Sequence, residues 1–241
     1  MAAGNAAAAG PTVRLEVAEG VATITLDRPA ALNALTVPMK GELLAAFRAV
    51  ARDAAVRVVI LTGSGRAFCA GQDLRERLEP DAAPLGVEVR ELYNPIIQAM
   101  RGLPKPIVGA INGVAAGAGA SLALACDVRI VAERATLALA FGRVGLVPDS
   151  GATWLLPRLV GGSKAAEIAL LDEALPAAEL VRLGLAVRAV PDAELVAEAR
   201  AIAARLAAGA PRALALTKQA LNGAWDRGLD AALDYEASLQ D

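Results

Sequence analysis

With 241 residues, 56% of them hydrophobic and 21% charged, the chain is long enough for one large domain or two small ones and can bury a substantial core. Lys and Arg total 24 against 26 Asp and Glu, so no basic excess exists to hold a nucleic-acid backbone or an anionic membrane surface. Histidine is absent, which excludes Ser-His-Asp and Cys-His catalysis, histidine metal sites and a histidine general base. Acid–base work is left to a carboxylate, Lys, Tyr or Cys.

Residues 1–11, MAAGNAAAAGP, have neither a basic segment nor a Leu-rich core and read as a disordered Ala/Gly leader, not a targeting sequence. A core spanning 12–190 follows, opening with alternation through Val13, Leu15 and Val17, then Val21, Thr23 and Thr25, around the Glu19-Gly20 turn of a β-hairpin. Met39, Leu43, Leu44, Phe47 and Val50 fall at helical spacing over 36–52, and the apolar run 56–62 reads as a strand ended by Gly63. Helical periodicity resumes over 85–101 until Pro104 and Pro106 break it, and 107–111 is again strand-like. Further strands are expected at 128–131, 136–140 and 187–190, with helices at 151–160, 164–171 and 176–183 between them. The last segment, 191–241, reads as a C-terminal helical region: a helix over 193–208, a stop at Gly209-Ala210-Pro211, then helix over 212–227 and 229–240.

Residues 107–126 carry no charge for twenty positions, and Gly109, Gly113 and Gly117 give two overlapping GxxxG patterns. The preceding Pro-Lys-Pro, the internal Asn112-Gly113 turn and the dilution by Ala and Gly argue against a membrane span. A buried strand, a Gly/Ala-rich turn and a tightly packed helix starting near Ala118 account for the stretch better. Cys69 and Cys126 match neither a CxxC nor a zinc-ligand spacing and read as buried thiols of a cytoplasmic protein, with a disulfide left open.

The strand-turn-helix INGVAAGAGASLALACD (111–127), the loop GSGRAFCAGQDL (63–74) and the segment LDRPAALNAL (26–35) together resemble, in order and spacing, the crotonase (enoyl-CoA hydratase/isomerase) superfamily. The downstream segment AFGRVGLVPDSGATWLLPRLVG (140–161) is similar to the 1,2-epoxyphenylacetyl-CoA isomerase branch of phenylacetate breakdown. The resemblance implies an α/β fold, a spiral of repeated ββα units (ClpP-like) with a helical C-terminal region. It also implies an acyl-CoA thioester as substrate, no cofactor beyond the coenzyme A of that substrate, no metal, and assembly into homotrimers or hexamers. Family members continue for another helix or two beyond the position of Asp241, so the assembly expectation is the first to suffer if the sequence is incomplete.

Such chemistry makes a thioester carbonyl enolate-like and requires preorganised N–H donors at its oxygen. Carried over by position, these are the backbone amides of Gln72 and Ala118. Ala118 opens a helix whose unpaired N–H groups and dipole favour negative charge, although the family usually has Gly there. The flanking Ala70, Gly71 and Gly117 let the thioester approach the backbone. The resemblance further assigns Asp73 and Leu74 to the loop bordering coenzyme A, Ala31 and Leu32 to the segment under its adenine and pantetheine, and Phe141 and Pro148 to the substrate-binding residues. Hydratases of the family use two glutamates, and here those positions hold Ser121 and Phe141. The acting aspartate of the isomerase and dehalogenase branches corresponds to Asp149. An isomerase that shifts a double bond or opens an epoxide through an enolate is therefore the leading reading, with Asp149 as its proton carrier. Hydration, thioester hydrolysis, dehalogenation and non-catalytic acyl-CoA binding are the alternatives. Taken alone, Asp149 before Ser-Gly and a helical run also reads as a helix N-cap. Trp154 and Trp225 are expected in the core.

Overall fold

The computed structural model describes residues 10–80 and 83–240, so most of the expected leader, residues 1–9, lies outside the described residues. Strands β1 (Val13–Ala18) and β2 (Val21–Leu26) form the expected antiparallel hairpin. Glu19 and Gly20 both take positive φ, 52° and 79°, as a tight two-residue hairpin turn requires. Thr36 caps α1 (Val37–Arg52), its hydroxyl accepting from the Met39 amide, and Met39, Leu43, Phe47 and Val50 make the buried stripe of that helix.

The chain then repeats one unit. It lays a strand in a first sheet, a short strand in a second sheet, and a helix: β3 (Val58–Gly63), β4 (Ala67–Cys69), α2 (Leu85–Glu88) and α3 (Asn94–Gly102); next β5 (Ile107–Ile111), β6 (Val114–Ala116) and α4 (Ala118–Ala125); next β7 (Val128–Ala132), β8 (Thr136–Ala138) and α5 (Ala152–Val160). After α6 (Gly162–Leu171) come β9 (Leu175–Pro176), α7 (Ala177–Arg182), β10 (Arg188–Val190) and the helices α8 (Leu195–Ala207), α9 (Pro211–Gly223) and α10 (Leu229–Ser238). The first sheet runs β1-β2-β3-β5-β7-β10 and is parallel from β2 onward; the second runs β4-β6-β8-β9, with only β9 antiparallel. This is the expected spiral of ββα units with a helical C-terminal region. All five residues of β5 are buried, as a central parallel strand covered on both faces must be, and α8 packs across β3, β5 and β7.

The uncharged stretch 107–126 resolves into β5, β6 and α4, and among the described residues no helix is long and apolar enough to cross a membrane. The expected Gly/Ala-rich turn contains β6, and β4 and β9 also go beyond the expected strands; unlike the equally short β8 and β10, they lie in stretches read as loop or turn or as the start of a helix. The helical reading of 85–101 is broken by a π-helical turn, Val89–Tyr93, closed by the bond from the Asn94 amide to the Val89 carbonyl. Pro95 lies directly beyond it, and the wider turn makes room for a ring that an α-helix interior would not accept. The two tryptophans depart from expectation: Trp154 is 38% and Trp225 65% exposed, with the Arg158 guanidinium between their rings, 3.9 Å and 6.0 Å from the two centroids. Cys69 and Cys126 are free and buried, and burial pushes both thiols up to about 12.

Candidate active site

The second sheet and α4 are held together by backbone that approaches too closely for any side chain. A Cβ placed on Gly119 would lie 2.1 Å from the Cys69 carbonyl oxygen, so the first turn of α4 rests directly on the end of β4. Gly71, at φ +92°, runs beside Ala116 and Ala118, and a Cβ there would fall 2.8 Å from the Ala116 carbonyl. The loop after β4 and the start of α4 therefore form one backbone surface.

The N-terminal segment braces that loop from the other side. The Ala70 amide donates to the Leu32 carbonyl (3.0 Å), Leu35 N to Gly71 O (2.7 Å) and Asp73 N to Leu35 O (3.0 Å). In that parallel bridge the residue between the two bonded groups is Gln72, so its own N–H points to the opposite side. Ala118 is the first residue of α4 and its amide has no partner within the helix. Among the described residues neither amide donates to a backbone carbonyl. Buried Asn33 locks the brace, accepting from Arg28 N (2.8 Å) and donating to the carbonyls of Ser64 (2.9 Å) and Ala67 (2.8 Å).

A cavity of about 280 Å³ opens beside these amides and is lined by Ala70, Gly71, Gln72, Leu74, Gly117, Ala118, Phe141 and Asp149 among the residues singled out from sequence. The remaining wall comes from Arg77, Leu85 and Tyr93 and from Ala140, Arg143, Val144 and Leu146. Ala31, Leu32, Asp73 and Pro148 lie outside it. Ala31 closes a 3-10 turn (Pro29–Ala31) and Leu32 is the brace just described; Asp73 pairs with Arg28 (3.0 Å), and Pro148 lines a separate hollow with Leu139 and Ala152.

Asp149 does not cap α5: the helix has no side-chain cap, and Gly151 at φ +80° occupies its N-cap position. Among the described residues the carboxylate accepts a single hydrogen bond, from the Ser150 hydroxyl at 2.8 Å. Burial is the main reason its pKa lies above the usual carboxylate value, with Glu88 adding to the rise while Ser150 and Lys40 oppose it. Ser121, completely buried in the all-buried helix α4, donates its hydroxyl to the Asp149 carbonyl (3.0 Å) and so fixes the backbone that carries the carboxylate. In the sequence Ser121 stands out for the family glutamate it replaces and not for this bond. A lone polar residue inside 118–125 was the available signal.

Behind Gln72 sits a charged cluster with no sequence signal. Lys40, 1% exposed on α1, pairs with Glu88 of α2; Glu88 also accepts from the Gln72 side chain (2.9 and 3.0 Å) and from Arg77 (3.2 Å). Burial alone would raise the Glu88 carboxyl, but the bonds from Lys40 and Gln72 and the charges of Lys40 and Arg77 outweigh it and hold the group below its usual value. The cluster thus anchors the side chain of Gln72, a residue of the cavity wall.

The family profile described as enoyl-CoA hydratase/isomerase matches residues 16–241. A protein of Rhodobacter capsulatus named "Probable enoyl-CoA hydratase" is 47% identical over 95% of this chain and 88% of its own length. The 1,2-epoxyphenylacetyl-CoA isomerase of Escherichia coli K12 is 43% identical over 93% of this chain and 87% of its own. Among solved structures, the enoyl-CoA hydratase of Bacillus anthracis superposes with a TM-score of 0.91 at 34% identity, covering 95% of this chain and 89% of that one.

Proposed function

Because the chain belongs to the enoyl-CoA hydratase/isomerase family, we propose that it isomerises an acyl-CoA thioester through an enolate-type intermediate, shifting a double bond or opening an epoxide. The observation that carries this reading is that Asp149 is, among the described residues, the one carboxylate on the wall of a cavity also lined by Gln72 and Ala118, whose amides donate to no backbone carbonyl. In this mechanism the thioester oxygen accepts from the two amides, which stabilise the negative charge that develops when a proton leaves C2. Asp149 takes that proton and returns one at C4, converting a 3-enoyl to a conjugated 2-enoyl thioester. A carboxylate with one neutral donor and a raised pKa is suited to both halves of the transfer. Phe141, 6% exposed, supplies an apolar wall where a hydratase of the family carries an acid.

The name of the E. coli relative supports an epoxyphenylacetyl thioester as substrate, and the name of the R. capsulatus relative supports a hydratase. Ser121 and Phe141 at the two glutamate positions favour the former, since neither side chain activates water at neutral pH. The reading needs no cofactor other than the coenzyme A of the substrate, and it includes assembly into trimers or pairs of trimers and a cytoplasmic location. The test is a panel of CoA thioesters: isomerisation of a 3-enoyl or epoxyphenylacetyl thioester is expected, with hydration of crotonyl-CoA very weak. Crotonyl-CoA turnover at the level of its isomerisation would overturn the assignment of Asp149 as sole acid–base group.

A further inference from the structure

One side chain on the wall of the cavity carries a polar atom with nothing to bond. Tyr93, the last residue of the π-helical turn, is 2% exposed, and its hydroxyl is buried with no hydrogen-bond partner among the described residues. It lines the same cavity as Gln72, Ala118 and Asp149, and the Lys40 ammonium sits 4.5 Å from the centre of its ring. Burial, and then the charges of Glu88, Cys69 and Asp149, push the phenol far above its usual pKa, so it remains an O–H donor at any working pH. Neither nearby carboxylate accepts from it: Glu88 takes Lys40, Gln72 and Arg77, and Asp149 takes Ser150.

A buried hydroxyl without a partner is costly, and phenylalanine would fill the same space without that cost. The acyl-CoA reading above supplies the missing partner. The thioester oxygen already has two amides, and a hydrocarbon acyl chain filling the cavity would leave the buried phenol unsatisfied. An oxygen on the acyl group would accept from it. We infer that the Tyr93 hydroxyl is a specificity group that donates a hydrogen bond to an ether- or hydroxyl-type oxygen of the acyl moiety, so that the cavity prefers oxygenated acyl thioesters over hydrocarbon ones of the same shape. The inference rests on the acyl-CoA reading and names the substrate class within it.

Binding separates the two. Calorimetric titration of the wild-type protein and of Tyr93→Phe with phenylacetyl-CoA and with 2-hydroxyphenylacetyl-CoA compares two thioesters differing by one oxygen, placed where a ring epoxide would carry it. Wild type is expected to bind the hydroxylated thioester about tenfold more tightly, a ratio typical of one satisfied buried hydrogen bond. Tyr93→Phe is expected to abolish the ratio, to bind phenylacetyl-CoA as before, and to melt at the same or a higher temperature, because it removes no bond within the protein. A wild-type ratio near one, a ratio that survives in Tyr93→Phe, or a fall in its melting temperature would each overturn the assignment. If wild type binds neither thioester, the acyl-CoA reading itself fails, and the role of Tyr93 fails with it.

Discussion

Two aspartates stand beside two cavities of nearly equal size and differ in how fully they are bonded. Asp127 borders a cleft of about 260 Å³ between α5 and α9, lined also by Arg101, Arg129, Trp154, Arg158, Lys218 and Trp225. Its carboxylate takes Lys218 at 2.7 Å, Arg101 at 3.1 Å and the Ile107 amide at 2.8 Å. Asp149 borders the 280 Å³ cavity and, among the described residues, takes only the Ser150 hydroxyl. The cleft does hold two unbonded atoms, the Nε groups of Arg101 and Arg158, but both guanidinium groups are engaged through their other nitrogens. Cavity volume therefore does not distinguish the two places; the remaining proton-accepting capacity of the carboxylate does. Asp127 joins α3, β5 and α9 as a structural tie, whereas Asp149 is held by its backbone and left free at its oxygens.

The largest effect should come from Asp149→Asn, which keeps shape but cannot accept a proton: isomerisation is expected to fall by ~10² to 10⁴. Stability should not fall with it. A carboxyl whose folded pKa is raised favours the folded state fully below its unfolded pKa, and that contribution is lost as pH rises through the folded value. At neutral pH the ionised Asp149 is therefore a cost, and the Asn variant should melt no lower than wild type. For the same reason kcat/KM should show an acid limb above the usual carboxylate range near ~4, measurable as a pH–rate profile. A normal rate in this variant would assign the proton to another group.

Lys40→Met should cost about 3 kcal/mol in denaturant unfolding, because it leaves Glu88 buried without its closest cation. Asp127→Asn tests the other side of the comparison: about 2 kcal/mol of stability lost, since Lys218 and Arg101 lose their anion, with the isomerisation rate unchanged. A large rate loss without destabilisation would remove the distinction between the two aspartates. The smallest effect is expected from Ser150→Ala, which deletes the one hydrogen bond that lowers the Asp149 pKa. Its acid limb should move to higher pH, while a limb that stays in place would mean that Ser150 does not act on the carboxylate.

The residues that the resemblance picked out sit in local segments, and the fold brings Gln72, Ala118 and Asp149 to one cavity. Gln72 lies in a contiguous loop motif, Ala118 opens a helix announced by Gly and Ala, and Asp149 follows the proline of a short motif. The cluster behind them was not legible, since Lys40 and Glu88 are 48 residues apart and meet only because α1 and the α2 region pack together. Tyr93 was hidden for a different reason: its direction depends on a π-helical turn, and a periodicity of 3.6 residues has no way to register one extra residue. The exposed tryptophans misled because an aromatic on an apolar helix face reads the same whether that face meets the core or, as at Trp154 and Trp225, an arginine at the surface.

The contact between Gly119 and the Cys69 carbonyl has a consequence for how such a scaffold can change over generations. The thioester grip proposed here consists of main-chain donors, which no exchange of their own side chains except to proline can delete, and glycine contacts hold those donors in register. The acids and walls are side chains at positions 121, 141 and 149, each replaceable by a single codon change. A lineage carrying this backbone can therefore exchange one reaction for another at three positions while inheriting its hold on the substrate unaltered.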